Sequence, residues 1–200
     1  MATAEKNFCP EDKRPVKLFF QDEARFGRIS DPAYCWAPSG LRPIISSQIV
    51  REFTHVFSAV SPNDGQSFSL ILPYANTDAM NIFLQEFSEA FQEYRIILIM
   101  DKAAWHRSKD LSKVENIRYI YQPPYSPELN PVEHLWEYIR ENYFKNAYWL
   151  SMETLETALT AILKKIAECP EMIQSIVGFH WAIIKICQNT PFCERGWMAA

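Results

Sequence analysis

This sequence predicts an α/β fold: one mixed five-stranded sheet flanked by helices, with extra helices toward the C-terminus. Three observations carry that prediction. The patterns run as three β-rich stretches, then helix, strand, crossover and strand, then helices, an order that implies antiparallel early strands and parallel later ones. Two of the early runs are separated by "SPNDG", whose Asp64-Gly65 is a strong hairpin-turn signal. Ile96 to Met100 is continuously apolar without alternation, as a strand covered on both faces requires.

Along the chain, "VKLFFQDEARFG" reads as a strand from Val16 to Gln21 that ends at Asp22 and Glu23. "AYCWAPSG" follows as a short extended piece closed by Gly40, and "EFTHVFSAVSPNDGQSFSLILPY" as the hairpin. Met80, Phe83, Leu84, Phe87 and Phe91 recur at helical spacing after a cap at Asn76 or Thr77. "RIILIM" and "IRYIY" are the two later strands, joined by a helical or irregular crossover from Trp105 to Val114. Helices are expected over Pro131–Phe144, Met152–Cys169 and Glu171–Cys187, the second with an apolar stripe of Leu155, Leu159, Ile162 and Ile166.

Two hundred residues that are 48% hydrophobic and 14% aromatic suffice for one substantial core, so a single domain over 16–190 is expected, with residues 1–15 as a flexible start. No stretch has the apolar length of a membrane span, and the N-terminus lacks an apolar signal core; the expectation is a cytoplasmic protein. The five cysteines are odd in number and contain no C-x-x-C pair, which supports neither a disulfide framework nor a zinc site. A net charge of −4 argues against binding nucleic acid by bulk electrostatics alone. Divalent metal on clustered carboxylates would remove most of that charge.

The chemistry concentrates in three acidic residues. Asp22 and Asp101 each follow a predicted strand, and ligand sites of open α/β sheets gather at such ends. Glu133 follows "YQPPYSPELNP", where Pro123, Pro124, Pro127 and Pro131 enforce a rigid extended loop. Asn130 before Pro131 suits an N-cap, Pro131 the first helical position, and Glu133 then falls in the first turn. Each acid also has a structural reading. Asp22 can cap a turn or pair with Arg25, Asp101 can pair with Lys102 or Arg107, and Glu133 can close a capping box. Together, three such carboxylates match the oxygen ligands that Mg²⁺ prefers, and can hold two ions about 3.5–4 Å apart for phosphoryl displacement.

The set "QDEARFG", "IMDKAAWHRS" and "YQPPYSPELNPVEHLW" resembles the catalytic domain of DDE transposases of the mariner superfamily, bacterial insertion-sequence branch, over about Val16–Asn146. The resemblance implies a ribonuclease-H-like fold, with Asp22, Asp101 and Glu133 as catalytic residues and ligands of Mg²⁺ or Mn²⁺, two ions in all. It implies DNA cleavage and strand transfer at insertion-sequence ends, with transposon ends and target DNA as partners. A homodimer would suit two ends, and the site of action would be the bacterial cytoplasm, at the nucleoid when on DNA. Three features depart from the family pattern. Lys102 stands where Asn usually follows the second Asp; the 31 residues between Asp101 and Glu133 are a few short of usual; and no N-terminal helix-turn-helix region precedes Val16, so a separate chain carrying one is an expected partner. An inert remnant acting as a binding module, or another ribonuclease-H-like nuclease, is the alternative.

Arg25, Arg28, Lys102, His106 and Arg107 are candidate DNA contacts, with Arg42 and Arg51 along the same path and Trp36 available for base stacking. His106 and His134 also suit an ordinary polar surface. Glu23, facing the opposite side of a continuing strand, is not counted as a ligand. Trp136, with Val132, Ile139 and Tyr143, reads as core.

Overall fold

In the computed structural model, residues 8–9, 11–124 and 126–183 are described. Five strands, β1 (Val16–Ile29), β2 (Ile49–Val60), β3 (Ser67–Leu72), β4 (Arg95–Met100) and β5 (Ile117–Tyr121), form one sheet in the order β3-β2-β1-β4-β5. β1, β2 and β3 pair antiparallel, whereas β1–β4 and β4–β5 are parallel, as the order of patterns predicts. The β2–β3 turn is the expected one. Gly65 adopts φ +70°, and a Cβ there would stand 1.9 Å from the Pro170 carbonyl oxygen, so both backbone and packing demand glycine.

β1 is longer than expected. It runs eight residues past Gln21 because Asp22, Ala24 and Phe26 continue the alternation and pair with Ser58, Val56 and Thr54 of β2. Asp22 therefore lies within a strand, not past its end. The parallel ladder with β4, however, has Phe20 and Ile99 as its last pair, so Asp22 does lie beyond the part of β1 that β4 covers. "AYCWAPSG" forms no strand in the sheet; nearby, Asp31 makes an isolated bridge to Lys145, and Tyr34 and Trp36 stand fully exposed.

Helix α1 (Thr77–Ala90) covers one face of the sheet, packing Met80, Phe83 and Phe87 on Phe19, Phe57 and Leu98. Its cap is Asn76, whose Oδ1 accepts from the Ala79 N–H at 2.9 Å. The other face carries α2 (Val132–Ile139), α3 (Met152–Ala167) and α4 (Pro170–Val177), which bury Trp136, Leu159 and Ile173 with Leu18, Phe20, Val56 and Ile97. β4 shows no alternation because each of its faces meets one of these two cores.

α2 continues as a π-helical turn, Arg140–Phe144. α4 ends at Val177, ahead of the expected Cys187, because the chain turns at Gly178 and returns to bury Ala182; residues from 184 onward lie outside the described ones. Phe8 is buried, and the Pro15 carbonyl accepts from the Arg95 N–H at 2.9 Å. Among the described residues, no helix is long and apolar enough to cross a membrane.

Candidate active site

Extending the β1–β4 register two residues past Phe20 and Ile99 sets Asp22 opposite Asp101, on the face that α2 covers. Glu133, exposed in the first turn of α2, completes the lining of a cavity of about 640 Å³ that also contains Lys102, Arg107, Gln122, Pro123 and Asn130. The three predicted acids thus share one cavity. They do not close into a ready-made ligand shell, since among the described residues no group of three or more His, Cys, Asp or Glu is arranged to hold a metal.

Asp22 is strongly perturbed. Burial raises its carboxyl first, Glu133 and Glu23 add like-charge repulsion, and the result is about 8 despite a bond that favours ionisation. That bond comes from Trp136, whose Nε1–H donates to Asp22 Oδ2 at 2.8 Å. Trp136 is buried core, as expected, but it also positions Asp22. The spacing carried that signal, because residues three apart on a helix share a face and Trp136 follows Glu133 by three.

Asp101 is half exposed and is held from below. Its Oδ1 accepts from His106 Nδ1–H at 2.7 Å and from the Ala103 N–H at 2.9 Å. The hydrogen bond from His106 is the chief reason its carboxyl sits below the ordinary range. His106 comes from a 3₁₀ turn, Ala104–Arg107, and is fully buried, which removes it from the candidate DNA contacts and from any surface role. Its other nitrogen, Nε2, donates to Glu23 Oε1 at 2.7 Å. Burial disfavours the imidazolium, yet the two carboxylates outweigh burial and lift its pKa to about 9. Glu23 does face away from the cavity, and its Oε1 also accepts from Gln21 Nε2 at 3.1 Å and Trp105 Nε1 at 3.4 Å.

Glu133 makes no side-chain capping bond. Asn130 does that work: its Oδ1 accepts from the Val132 N–H at 3.2 Å, while its Nδ2 donates to the Gln21 carbonyl at 3.1 Å. The regular helix starts one residue later than expected, at Val132, and the proline loop contains a short 3₁₀ turn, Pro127–Leu129. Gln122 Nε2 ties that loop down by donating to the Leu129 carbonyl at 2.8 Å. The side chain of Asn130 therefore fixes the Glu133 helix to the strand residue next to Asp22, a role beyond the cap read from sequence.

Of the candidate DNA contacts, Lys102 and Arg107 line the cavity. Arg25 stacks over Phe53 at 4.4 Å and lies in a separate pocket. Arg28 is committed elsewhere, pairing with Glu52 at 2.7 Å and donating to the Trp149 and Leu150 carbonyls. Arg42 and Arg51 are exposed. His134 pairs with Glu137 at 3.2 Å, in keeping with a surface role.

Residues 17–156 match the family described as DDE superfamily endonuclease. The chain belongs to that family. It is 35% identical over 131 residues to the uncharacterized protein y4pE/y4sA of Sinorhizobium fredii (strain NBRC 101917 / NGR234), covering 65% of this chain and 97% of the relative. It is 29% identical over 119 residues to the insertion element IS630 uncharacterized 39 kDa protein of Shigella sonnei, covering 56% of this chain and 33% of that protein. Among solved structures, the Mos1 strand transfer complex aligns with a TM-score of 0.57 at 16% identity, over 82% of this chain and 55% of that one. The Mos1 mariner paired-end complex with Mn aligns at 0.58 and 16% identity, over 82% and 56%. At such identity the likeness concerns the fold, which is ribonuclease-H-like. The DDE endonuclease chain spans about half the length of the Mos1 chains and a third of the insertion-element protein.

Proposed function

We propose that this DDE endonuclease is the catalytic domain of a DNA transposase, cleaving and joining strands at insertion-sequence ends with divalent metal. The observation that carries the reading is the register that sets Asp22 opposite Asp101, with Glu133 facing the same cavity.

The donor set fits a hard cation. All three side chains offer carboxylate oxygens, and burial first, then the neighbouring Glu133 and Glu23, disfavour the ionised form of Asp22, an effect that a bound cation would oppose. Asp22, Asp101 and Glu133 would hold Mg²⁺ or Mn²⁺, two ions in the full site, and bound metal would supply an activated water and stabilise the leaving oxygen. The chain's own residues set the stage for that chemistry. Trp136 fixes one oxygen of Asp22, His106 one oxygen of Asp101, and Asn130 the helix that presents Glu133. Lys102 and Arg107 at the rim suit backbone phosphates. They position a strand without reading its sequence.

The partners in this reading are transposon ends and target DNA, a second copy of the chain for the second end, and a helix-turn-helix region on a separate chain. The setting is the bacterial cytoplasm, at the nucleoid when on DNA. An inert remnant is less favoured, because every acid the resemblance requires is present and lines one cavity. The test is cleavage of end-bearing duplex DNA in Mg²⁺ or Mn²⁺ by wild type beside Asp101→Asn. Metal-dependent cuts confined to the wild type support the reading; cuts that persist in the variant would remove Asp101 from the site.

A further inference from the structure

The backbone ladder between β1 and β4 ends at Phe20 and Ile99, two residues short of the acids. Beyond it, ladder hydrogen bonds no longer set how far Asp101 stands from the strand that carries Asp22. A side-chain bridge spans this gap. His106 Nδ1 bonds Asp101 Oδ1 and His106 Nε2 bonds Glu23 Oε1, both at 2.7 Å, and Glu23 neighbours Asp22 on β1. The post at the β1 end is firm. Glu23 is nearly buried, with 8% of its side chain exposed, and two further donors reach the same oxygen. The turn that carries His106 is pinned as well, because Tyr121 of β5 donates its hydroxyl to the His106 carbonyl at 2.7 Å.

The hydrogen bonds to the Asp101 carboxylate from Ala103 and His106 fall on Oδ1, and the half-exposed side chain still lines the cavity. We infer that His106 is a positioning residue: it braces Asp101 against Glu23 so that the second aspartate is held at a fixed place relative to the first. This inference rests on the metal-dependent reading of the cavity. It assigns His106 no contact with DNA, from which its burial withholds it, and none with metal, since both ring nitrogens are bonded to carboxylates. It makes Glu23, on the far face of the strand from the cavity, part of the site's support.

Two substitutions separate the ends of the bridge. In His106→Asn the amide nitrogen takes the place of Nδ1 and keeps the bond to Asp101. In His106→Gln it takes the place of Nε2 and keeps the bond to Glu23. Mn²⁺ affinity is measured by calorimetry, with a DNA duplex present, alongside melting temperature. The expected result is that His106→Gln, which frees Asp101 outright, weakens Mn²⁺ binding by about 100-fold, and His106→Asn, which opens only the Glu23 end, by about tenfold, the range that loss of a ligand's support commonly spans, both at a melting temperature similar to wild type. Gln binding as tightly as wild type, or both variants weakening equally in step with their melting temperatures, would overturn the positioning role. If neither variant folds, Glu23→Ala probes the bridge with His106 in place, where tenfold weaker binding supports the role and unchanged binding overturns it. Mn²⁺ binding that Asp22→Asn leaves unchanged would overturn the cavity reading itself, and the positioning role with it.

Discussion

Asp22 and Asp101 each stand two residues past Phe20–Ile99, the last pair of the parallel ladder between β1 and β4, and line one cavity. Nothing in folding requires two aspartates there, and the burial of Asp22 opposes its ionisation. Asp22→Asn, Asp101→Asn and Glu133→Gln are each expected to lower metal-dependent cleavage by on the order of 10²-fold or more, with the far-UV circular dichroism spectrum unchanged.

The same burial predicts a gain in stability when the acid is removed. The Asp22 carboxyl is raised from 3.8 to about 8 in the folded chain, so between those values the unfolded chain ionises first and stability falls as pH rises. Metal-free Asp22→Asn should therefore match wild type near pH 4 and exceed it at pH 8. The excess is on the order of 5 kcal/mol, about 1.4 kcal/mol for each pH unit between the two values, or roughly 10–20 °C in melting temperature for a chain of this size. Parallel melting curves in chelator at the two pH values decide it; a variant less stable than wild type at pH 8 contradicts the account.

Asn130 uses both ends of its amide, accepting from Val132 and donating to the Gln21 carbonyl. Asn130→Ala removes a cap and a buried bond, for about 1–3 kcal/mol. Asn130→Asp keeps the cap acceptor but turns an oxygen toward the Gln21 carbonyl, so it should cost more than Ala. Urea unfolding ranks the two, and the reverse order would show that the tie to β1 contributes little.

Lys17 is nearly buried, bonds Asp64 at 2.5 Å and Gln66, and lies 4.7 Å over the Tyr94 ring. Burial works to raise the Asp64 carboxyl, but the bonds and charge of Lys17 outweigh it and hold it below 3.8. A depressed carboxyl stabilises above its unfolded pKa, and that contribution is lost as pH falls through the folded value. Lys17→Met should cost about 1–2 kcal/mol at pH 7, and the gap to wild type should narrow below pH 4. A gap independent of pH would assign the effect to packing alone.

The sheet was legible because its signals are local: Asp64-Gly65 for the hairpin, the unbroken run of β4 for a strand covered on both faces, Asn76 for the start of α1. The full length of β1 was hidden because Asp22 and Glu23 look like a strand's end, although Ala24 and Phe26 resume the alternation and β2 supplies the partner. The overlong reading of α4 followed the apolar residues past Gly178, where the chain turns. At the site, the three acids could be picked out by their surroundings, but their support could not. His106 reads as a polar residue in a loop until the 3₁₀ turn buries it, and its bond to Glu23 joins residues 83 positions apart.

The measurement that tests the central claim most directly is Mn²⁺ binding by calorimetry, with a DNA duplex present, on wild type and Asp101→Asn. The account predicts binding to the wild type that the substitution weakens at least tenfold. Equal affinity in the two proteins, or no binding to either, would contradict a metal site built from Asp22, Asp101 and Glu133.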